Sequence, residues 1–260
     1  MQRSAVRPSP VFLAILAVAV GAAFLIAFGQ DEESYFLTGP GAAVNAGTFV
    51  LVLAGWGVSL CLHEFGHAYV AYRGGDHEVR IRGYLTLDPR RYTDPVFSLV
   101  LPLIFVAIGG IPLPGGAVWI NHYSLRSRAV ETMVSLAGPL SNLVLGGLLI
   151  LSINTFDPSL PLAGALSFLA LLQVMAFVLN ILPIPGLDGW GAIEPYLSPE
   201  AQRFGQKARP WAPLILFAVL IGLPGVSSVF FDVSNTVYNA VGGSGDLADL
   251  GNYAFFFWRH

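Results

Sequence analysis

Trp56-Gly57-Val58-Ser59-Leu60-Cys61-Leu62-His63-Glu64-Phe65-Gly66-His67-Ala68-Tyr69-Val70 is an apolar run interrupted by two histidines and a glutamate. It lies within a longer apolar stretch, about residues 43–72, which exceeds the ~20 residues a helix needs to cross a bilayer. A spacing of four puts the His63 and His67 imidazoles on one helix face, one turn apart. That spacing suits two ligands of one zinc ion. Glu64, beside the first ligand, is close enough to act as base toward water activated by the metal. Ionisable groups inside an apolar span are costly and point to function. The plainer alternative, a hydrogen-bonded His/Glu cluster between packed helices, does not require this spacing.

Composition agrees with a membrane setting. Of 260 residues, 55% are hydrophobic and 11% charged, and the mean hydropathy is +0.66. A soluble domain carries roughly twice that share of charge. The net charge is −3, without a basic tail or aromatic-basic interleaving, which argues against a nucleic-acid partner. Cys61 is the single cysteine, so a disulfide framework and a cysteine-based zinc site within one chain are excluded.

Further spans are expected at about 10–28, 129–153, 162–182 and 211–231. A signal peptide is the alternative for residues 10–28. However, the apolar run is longer than a signal h-region of ~7–15 residues, and no A-x-A-like cleavage site follows it. Residues 96–118 are apolar but interrupted by Pro102, Gly109, Gly110, Pro112, Pro114, Gly115 and Gly116. That many breakers argue for a re-entrant or broken segment, with room for a small β-hairpin. Such backbone is tolerated at membrane depth only where protein or a water-filled cavity covers it. The expected architecture is an all-α polytopic membrane protein, with about five transmembrane helices and this segment between the second and third.

Charge gives an expected orientation. Arg3, Arg7, Arg73, Arg80, Arg82, Arg90, Arg91, Arg126, Arg128, Arg203, Lys207 and Arg209 all fall on one face if 96–118 does not cross. The positive-inside rule makes that face, and the N-terminus, cytoplasmic. Asp31, Glu32, Glu33, Asp157, Asp232, Asp246 and Asp249 fall on the other. Residues 232–250 are rich in Gly, Asn and Asp and read as an extracytoplasmic surface loop, and Phe255-Phe256-Phe257-Trp258 reads as an interfacial anchor. The whole chain, 1–260, reads as one integral-membrane domain. Its catalytic core is about 43–192, flanked by the spans 10–28 and 211–231 and the tail 232–260.

A tetrahedral catalytic zinc takes three protein ligands and keeps one position open. His77 and His122 lie in basic connecting segments and His260 is the last residue, so each reads as a surface residue. Asp188 is the better third ligand, in Asn180-Ile181-Leu182-Pro183-Ile184-Pro185-Gly186-Leu187-Asp188-Gly189. Its prolines end the fourth span and let a carboxylate turn inward. Spans two and four run in the same direction, so Asp188 reaches the depth of the histidines if 96–118 is re-entrant.

Three motifs together resemble the site-2 proteases, the intramembrane zinc metalloproteases of the M50 type. They are His63-Glu64-Phe65-Gly66-His67, Ala137-Gly138-Pro139-Leu140-Ser141-Asn142 and the segment from Asn180 to Gly189, in the family's order. The resemblance implies one Zn2+ per chain held by His63, His67 and Asp188, with Glu64 as base. It also implies that Asn142 and Asn180 line the active site, near substrate or the reaction's oxyanion. The substrate it implies is a membrane protein, such as a single-span regulator, cut in or near its transmembrane segment. The broken segment looks like the edge that the family offers to an extended substrate. The chain departs from better-known members in leaving no room for a PDZ domain between the motifs or a CBS domain at the end. A zinc or divalent-metal transporter would need ionisable groups along a path through the bilayer, whereas here they cluster at one depth. A catalytically silent chaperone or scaffold on the same fold is opposed by the intact Glu64 and ligand set.

Overall fold

A computed structural model describes residues 6–91 and 118–259. The expected re-entrant segment 96–118 lies outside the described residues except for Val118, as do Arg3 and His260. Among the described residues every regular element is helical. Helix α1 is Pro10–Gly29, α2 Glu32–Thr38, α3 Ala42–Gly74, α4 Glu78–Ile81, α5 Arg128–Phe156, α6 Leu160–Asn180 and α7 Asp188–Ile193. Then follow α8 Pro199–Ala208, α9 Ala212–Gly222, α10 Pro224–Ala240 and α11 Gly245–Phe255. Helices α1, α3, α5 and α6 are long and apolar enough to cross a membrane.

Local signals explain the helix starts. Ser9 accepts the Phe12 N–H at 3.1 Å, and Pro10 occupies the first turn of α1, where its missing N–H does no harm. Ser127 and Ser198 cap α5 and α8 in the same way. Helix α3, at 33 residues, is about 50 Å long. It therefore outreaches a hydrocarbon core of about 30 Å. Helices α3 and α6 form the interior, with α1 and α5 packed against them. The outer faces of α1 and α5 expose Leu13, Val18, Phe24, Val144, Leu148 and Leu151, a surface suited to lipid.

Three expectations about the C-terminal part are corrected. The span expected at 211–231 is broken: α9 and α10 meet at 99° around Leu223. Pro224 has no N–H with which to continue α9, and the 11 residues of α9 cover only about 16 Å. The loop expected at 232–250 is mostly helix, with a turn at Gly242 (φ 90°) between α10 and α11. Its Gly, Asn and Asp content masks two helical stripes. Phe230, Ser234 and Tyr238 recur every four residues and are buried, and so are Ala248, Gly251 and Phe255 at steps of three and four. Gly251 lies against the Gly164 carbonyl of α6, a close approach that small residues permit. Of the expected anchor, Phe255 and Phe256 are instead buried against Phe49 and Phe168, while Phe257 and Trp258 are exposed.

Candidate metal centre and active site

One face of α3 carries Ser59, His63 and His67 at helical steps of four, all buried. Facing it is a face of α5 that carries Val134, Gly138 and Asn142 at the same steps. The two helices pass closely because Gly66 sits on the Ala137 carbonyl. A Cβ at Gly66 would lie 2.8 Å from that oxygen, inside van der Waals contact. Asp188 arrives from the end of α6. Pro183 and Pro185 prevent the helix from continuing, and Gly186 (φ 97°) reverses the chain. Gly189 lies flush on the Ile181 carbonyl, so Asp188 begins α7 beside the histidines.

The geometry is that of a ligand triad. His63 Nε2 lies 3.1 Å from His67 Nε2. Asp188 Oδ2 is 3.2 Å from His63 Nε2 and Oδ1 is 3.4 Å from His67 Nε2. Two ligands held about 2.0–2.1 Å from zinc at the tetrahedral angle stand about 3.3 Å apart. Hydrogen bonding fixes what these atoms present. His67 Nδ1 is 2.7 Å from the Val134 carbonyl, which can only accept, so that nitrogen carries the proton. Asn142 Nδ2 donates to Ser59 Oγ at 2.9 Å and to Gln173 Oε1 at 2.8 Å. Its Oδ1 therefore faces His63 Nδ1, 2.6 Å away, and accepts that proton. Both Nε2 atoms are left with lone pairs pointing at each other and at a carboxylate. A single proton would satisfy one pair of these groups, whereas a divalent cation would be held by His63, His67 and Asp188 together.

Gly138 leaves the space for such an ion. A Cβ there would stand 2.6 Å from His63 Nε2 and closer still to His67 Nε2, against both imidazoles. The residues present therefore fit a zinc ion. Among the described residues, His63, His67 and Asp188 form the only His, Cys, Asp and Glu grouping close enough to hold a metal.

Around the triad is a cavity of about 260 Å³, lined by Glu64, Asn180, Ser135 and Val118 and, toward its mouth, His122, Glu194 and Arg209. Glu64 is 2% exposed, and its Oε2 accepts the Val118 N–H at 2.9 Å. The chain at 118–121 is itself held over the cavity. Buried Asp76 accepts the Asn121 N–H at 2.8 Å and the Glu78 N–H at 2.9 Å, and Arg82 stacks on Trp119 at 4.3 Å.

The two asparagines take different places. Asn180 lines the cavity and makes no side-chain hydrogen bond among the described residues. Asn142 does not line it, and both its amide hydrogens are committed, so it has none to offer an oxyanion. His122 pairs with Glu131 at 2.7 Å at the cavity mouth, and His77 rests on the Tyr72 ring; both stand apart from the triad. Sequence reasoning missed Ser59 and Gln173, and it quoted Gly138 in a motif without its contact with the histidines. A glutamine in the otherwise apolar span α6 was the available signal. Gln173 is 0% exposed, and its Nε2 finds no partner among the described residues, a loss of about 1–3 kcal/mol in stability.

No family model and no solved structure matches the chain. Curated relatives do. Rip2 of Mycobacterium tuberculosis, named as a zinc metalloprotease, is 48% identical over 260 residues, covering 99% of this chain and 96% of that protein. Rip2 of Mycolicibacterium smegmatis is 45% identical, covering 98% and 96%. YwhC of Bacillus subtilis, also named as a zinc metalloprotease, is 32% identical over 187 residues, covering 68% of this chain and 83% of that protein. Spanning helices, a zinc-fitting triad with a buried glutamate beside it, and identity along nearly the whole chain lead to one conclusion: the chain belongs to the site-2 protease family of multi-pass, zinc-dependent membrane metalloproteases.

Proposed function

We propose that His63, His67 and Asp188 are the ligands of one zinc ion, that Glu64 is the catalytic base, and that the centre works toward the cytoplasmic side. The observation that best supports this reading is the convergence of two imidazole Nε2 atoms, 3.1 Å apart, on the two oxygens of one carboxylate at 3.2 and 3.4 Å, with both imidazole protons held on Nδ1. Zinc held there supplies Lewis acidity, lowering the pKa of water to about 7 and polarising a peptide carbonyl.

The chain's own groups do the rest. One Glu64 oxygen is occupied by the Val118 N–H, which orients the carboxylate and leaves the other oxygen to take a water proton. Glu64 then passes that proton to the leaving amine. The Asn180 amide, uncommitted at the cavity wall, donates to the substrate carbonyl oxygen as charge develops there. His122, Glu194 and Arg209 at the mouth give water a polar route from the Arg-rich, cytoplasmic face.

The substrate is a membrane protein, and we take it to be a single-span regulator. A helix hides its carbonyls in its own hydrogen bonds, so the segment must unwind to be cut, and Gly- or Pro-containing spans are favoured. The catalytic core is residues 43–192, with the remaining helices completing one membrane domain.

The test compares membrane fractions of cells carrying the parent or Glu64→Gln by proteomics, together with zinc analysis of both and of Asp188→Ala. Loss of a general base lowers rate about 10²–10⁴-fold, so uncut membrane stubs should accumulate with Glu64→Gln while zinc stays bound. Cleavage at the parental rate by Glu64→Gln would sink the base assignment. Full, tight zinc occupancy in Asp188→Ala would sink the third ligand.

A further inference from the structure

We infer that Gln173 and Ser59 are positioning residues for the metal centre: acting through Asn142, they set the tautomer in which His63 meets the metal. The inference rests on the ligand reading above and extends it into a layer of side chains behind the ligands.

The chain of cause runs from α6 to α3. His63 can bind a cation through Nε2 only if the proton sits on Nδ1. The proton stays on Nδ1 only if an acceptor faces it, and that acceptor is Asn142 Oδ1, 2.6 Å away. An asparagine amide, however, is nearly symmetric in shape. Turned over, it would present Nδ2 to the ring, and the favoured tautomer would put the proton on Nε2, where a metal must bind. Asn142 is held the right way round because its Nδ2 faces two acceptors, Ser59 Oγ at 2.9 Å and Gln173 Oε1 at 2.8 Å.

Gln173 faces the same ambiguity, and the same cluster resolves it. The Ser59 hydroxyl donates to Gln173 Oε1, so two donors, Ser59 Oγ–H and Asn142 Nδ2–H, converge on that one oxygen. Turning Gln173 over would set its Nε2–H groups against the Asn142 amide hydrogens. The whole cluster is dry: Gln173 is 0% exposed, Ser59 2% and Asn142 4%. No solvent competes for these bonds, and none rescues a wrong orientation. The orphaned Gln173 Nε2 argues against a purely structural role. For packing alone an apolar residue of the same shape would serve α6 better, whereas an acceptor at this point can be supplied only with the rest of the amide attached.

The experiment uses the full-length protein in detergent, stripped of metal. It measures zinc affinity by competition with a chelating dye, the d–d absorption spectrum on cobalt loading, and the apo melting temperature. Gln173→Met keeps shape and removes both the acceptor and the orphaned donor. Its apo melting temperature should equal or exceed the parent's, its zinc affinity should fall about 10–100-fold, and its cobalt bands should shift. Gln173→Glu keeps an acceptor oxygen facing Asn142 and Ser59, and should restore affinity and spectrum close to the parent's. Ser59→Ala should fall between the two, and it carries the test if Gln173→Met is not recovered folded. Parental affinity and spectrum in Gln173→Met, or in Ser59→Ala in its place, overturn the inference. So does Gln173→Glu binding as weakly as Gln173→Met. Asp188→Ala separates this from the underlying reading: it should lose the metal outright, and if it binds as the parent does, the ligand triad itself is wrong.

Discussion

Gly138→Ala is the smallest change that tests the whole geometry of the centre. The added methyl would stand 2.6 Å from His63 Nε2 and nearer to His67 Nε2. Non-bonded contact requires about 3.5 Å, so each imidazole must retreat by about 1 Å. Ligand bonds of about 2.0–2.1 Å to zinc do not survive such a displacement. A misplacement of that size is worth about 100-fold in comparable sites, or about 2.7 kcal/mol at 1.36 kcal/mol per decade. The fold should not suffer, because the methyl meets the far ends of two side chains and alanine is the better helix former by about 1 kcal/mol. The expected result is an apo protein that melts no lower than the parent, binds zinc at least about 100-fold more weakly, and cleaves no membrane substrate in proteoliposomes. Gly147→Ala, on the same helix with open space around its Cβ, serves as control and should behave as the parent. Stoichiometric zinc at parental affinity in Gly138→Ala would refute the placement of the metal between these three ligands.

Two further substitutions test how the centre is held, and a third tests a charged pair elsewhere in the fold. Gly66→Ala puts a Cβ 2.8 Å from the Ala137 carbonyl, a backbone atom that cannot turn aside; α3 and α5 must separate, with a stability loss of about 1–3 kcal/mol by thermal melting and a fall in cleavage, and an unchanged melt would refute the close contact. Asp76→Asn leaves one acceptor for the two N–H groups of Glu78 and Asn121; the loss should be about 1–3 kcal/mol, with slower cleavage as residues 118–121 loosen over Glu64, and parental values for both would count against this anchor. Outside the spans, hydrogen bonds from the Arg90 side chain at 2.9 and 2.8 Å hold the Asp88 carboxyl below its usual range. A lowered carboxylate pKa adds stability above the unfolded value and loses it as pH falls through the folded one. Asp88→Asn should therefore melt below the parent at neutral pH, the gap narrowing below about pH 4; a gap independent of pH would remove the charge from the explanation.

What could be read from the residues divides along a physical line. His63, Glu64 and His67 were legible because ionisable groups are rare in an apolar run and their spacing is periodic. Asp188 was legible because Pro183 and Pro185 announce the end of a helix. Long apolar runs gave α1, α3, α5 and α6 to within a few residues. The break at Leu223 escaped because hydropathy averages over a window and does not register one proline between two apolar stretches. The helices of 232–255 escaped because Gly, Asn and Asp were read for their loop preference, while the stripe through Phe230, Ser234 and Tyr238 recurs only on the buried side. Composition reports what a segment contains, and burial depends on which third of it faces inward.

The second layer of the centre was illegible for a different reason. Ser59, Gln173 and Gly138 carry no charge and bind no metal, and each is ordinary in isolation. Their meaning arises only when α3, α5 and α6 are brought together, because it consists in which way an amide faces. The two motif asparagines make the point. Both are placed on the substrate side by the resemblance to the site-2 proteases. Asn180, at the last turn of α6, opens on the cavity. Asn142, in mid-span, is enclosed by Ser59, Gln173 and His63. Depth along the helix separates their roles: an amide at the end of a span can meet water and substrate, whereas one in the middle has only the protein to bond to. In this chain those bonds converge on His63, a proposed zinc ligand, so the polar groups buried in the membrane would orient that imidazole as well as hold three helices together.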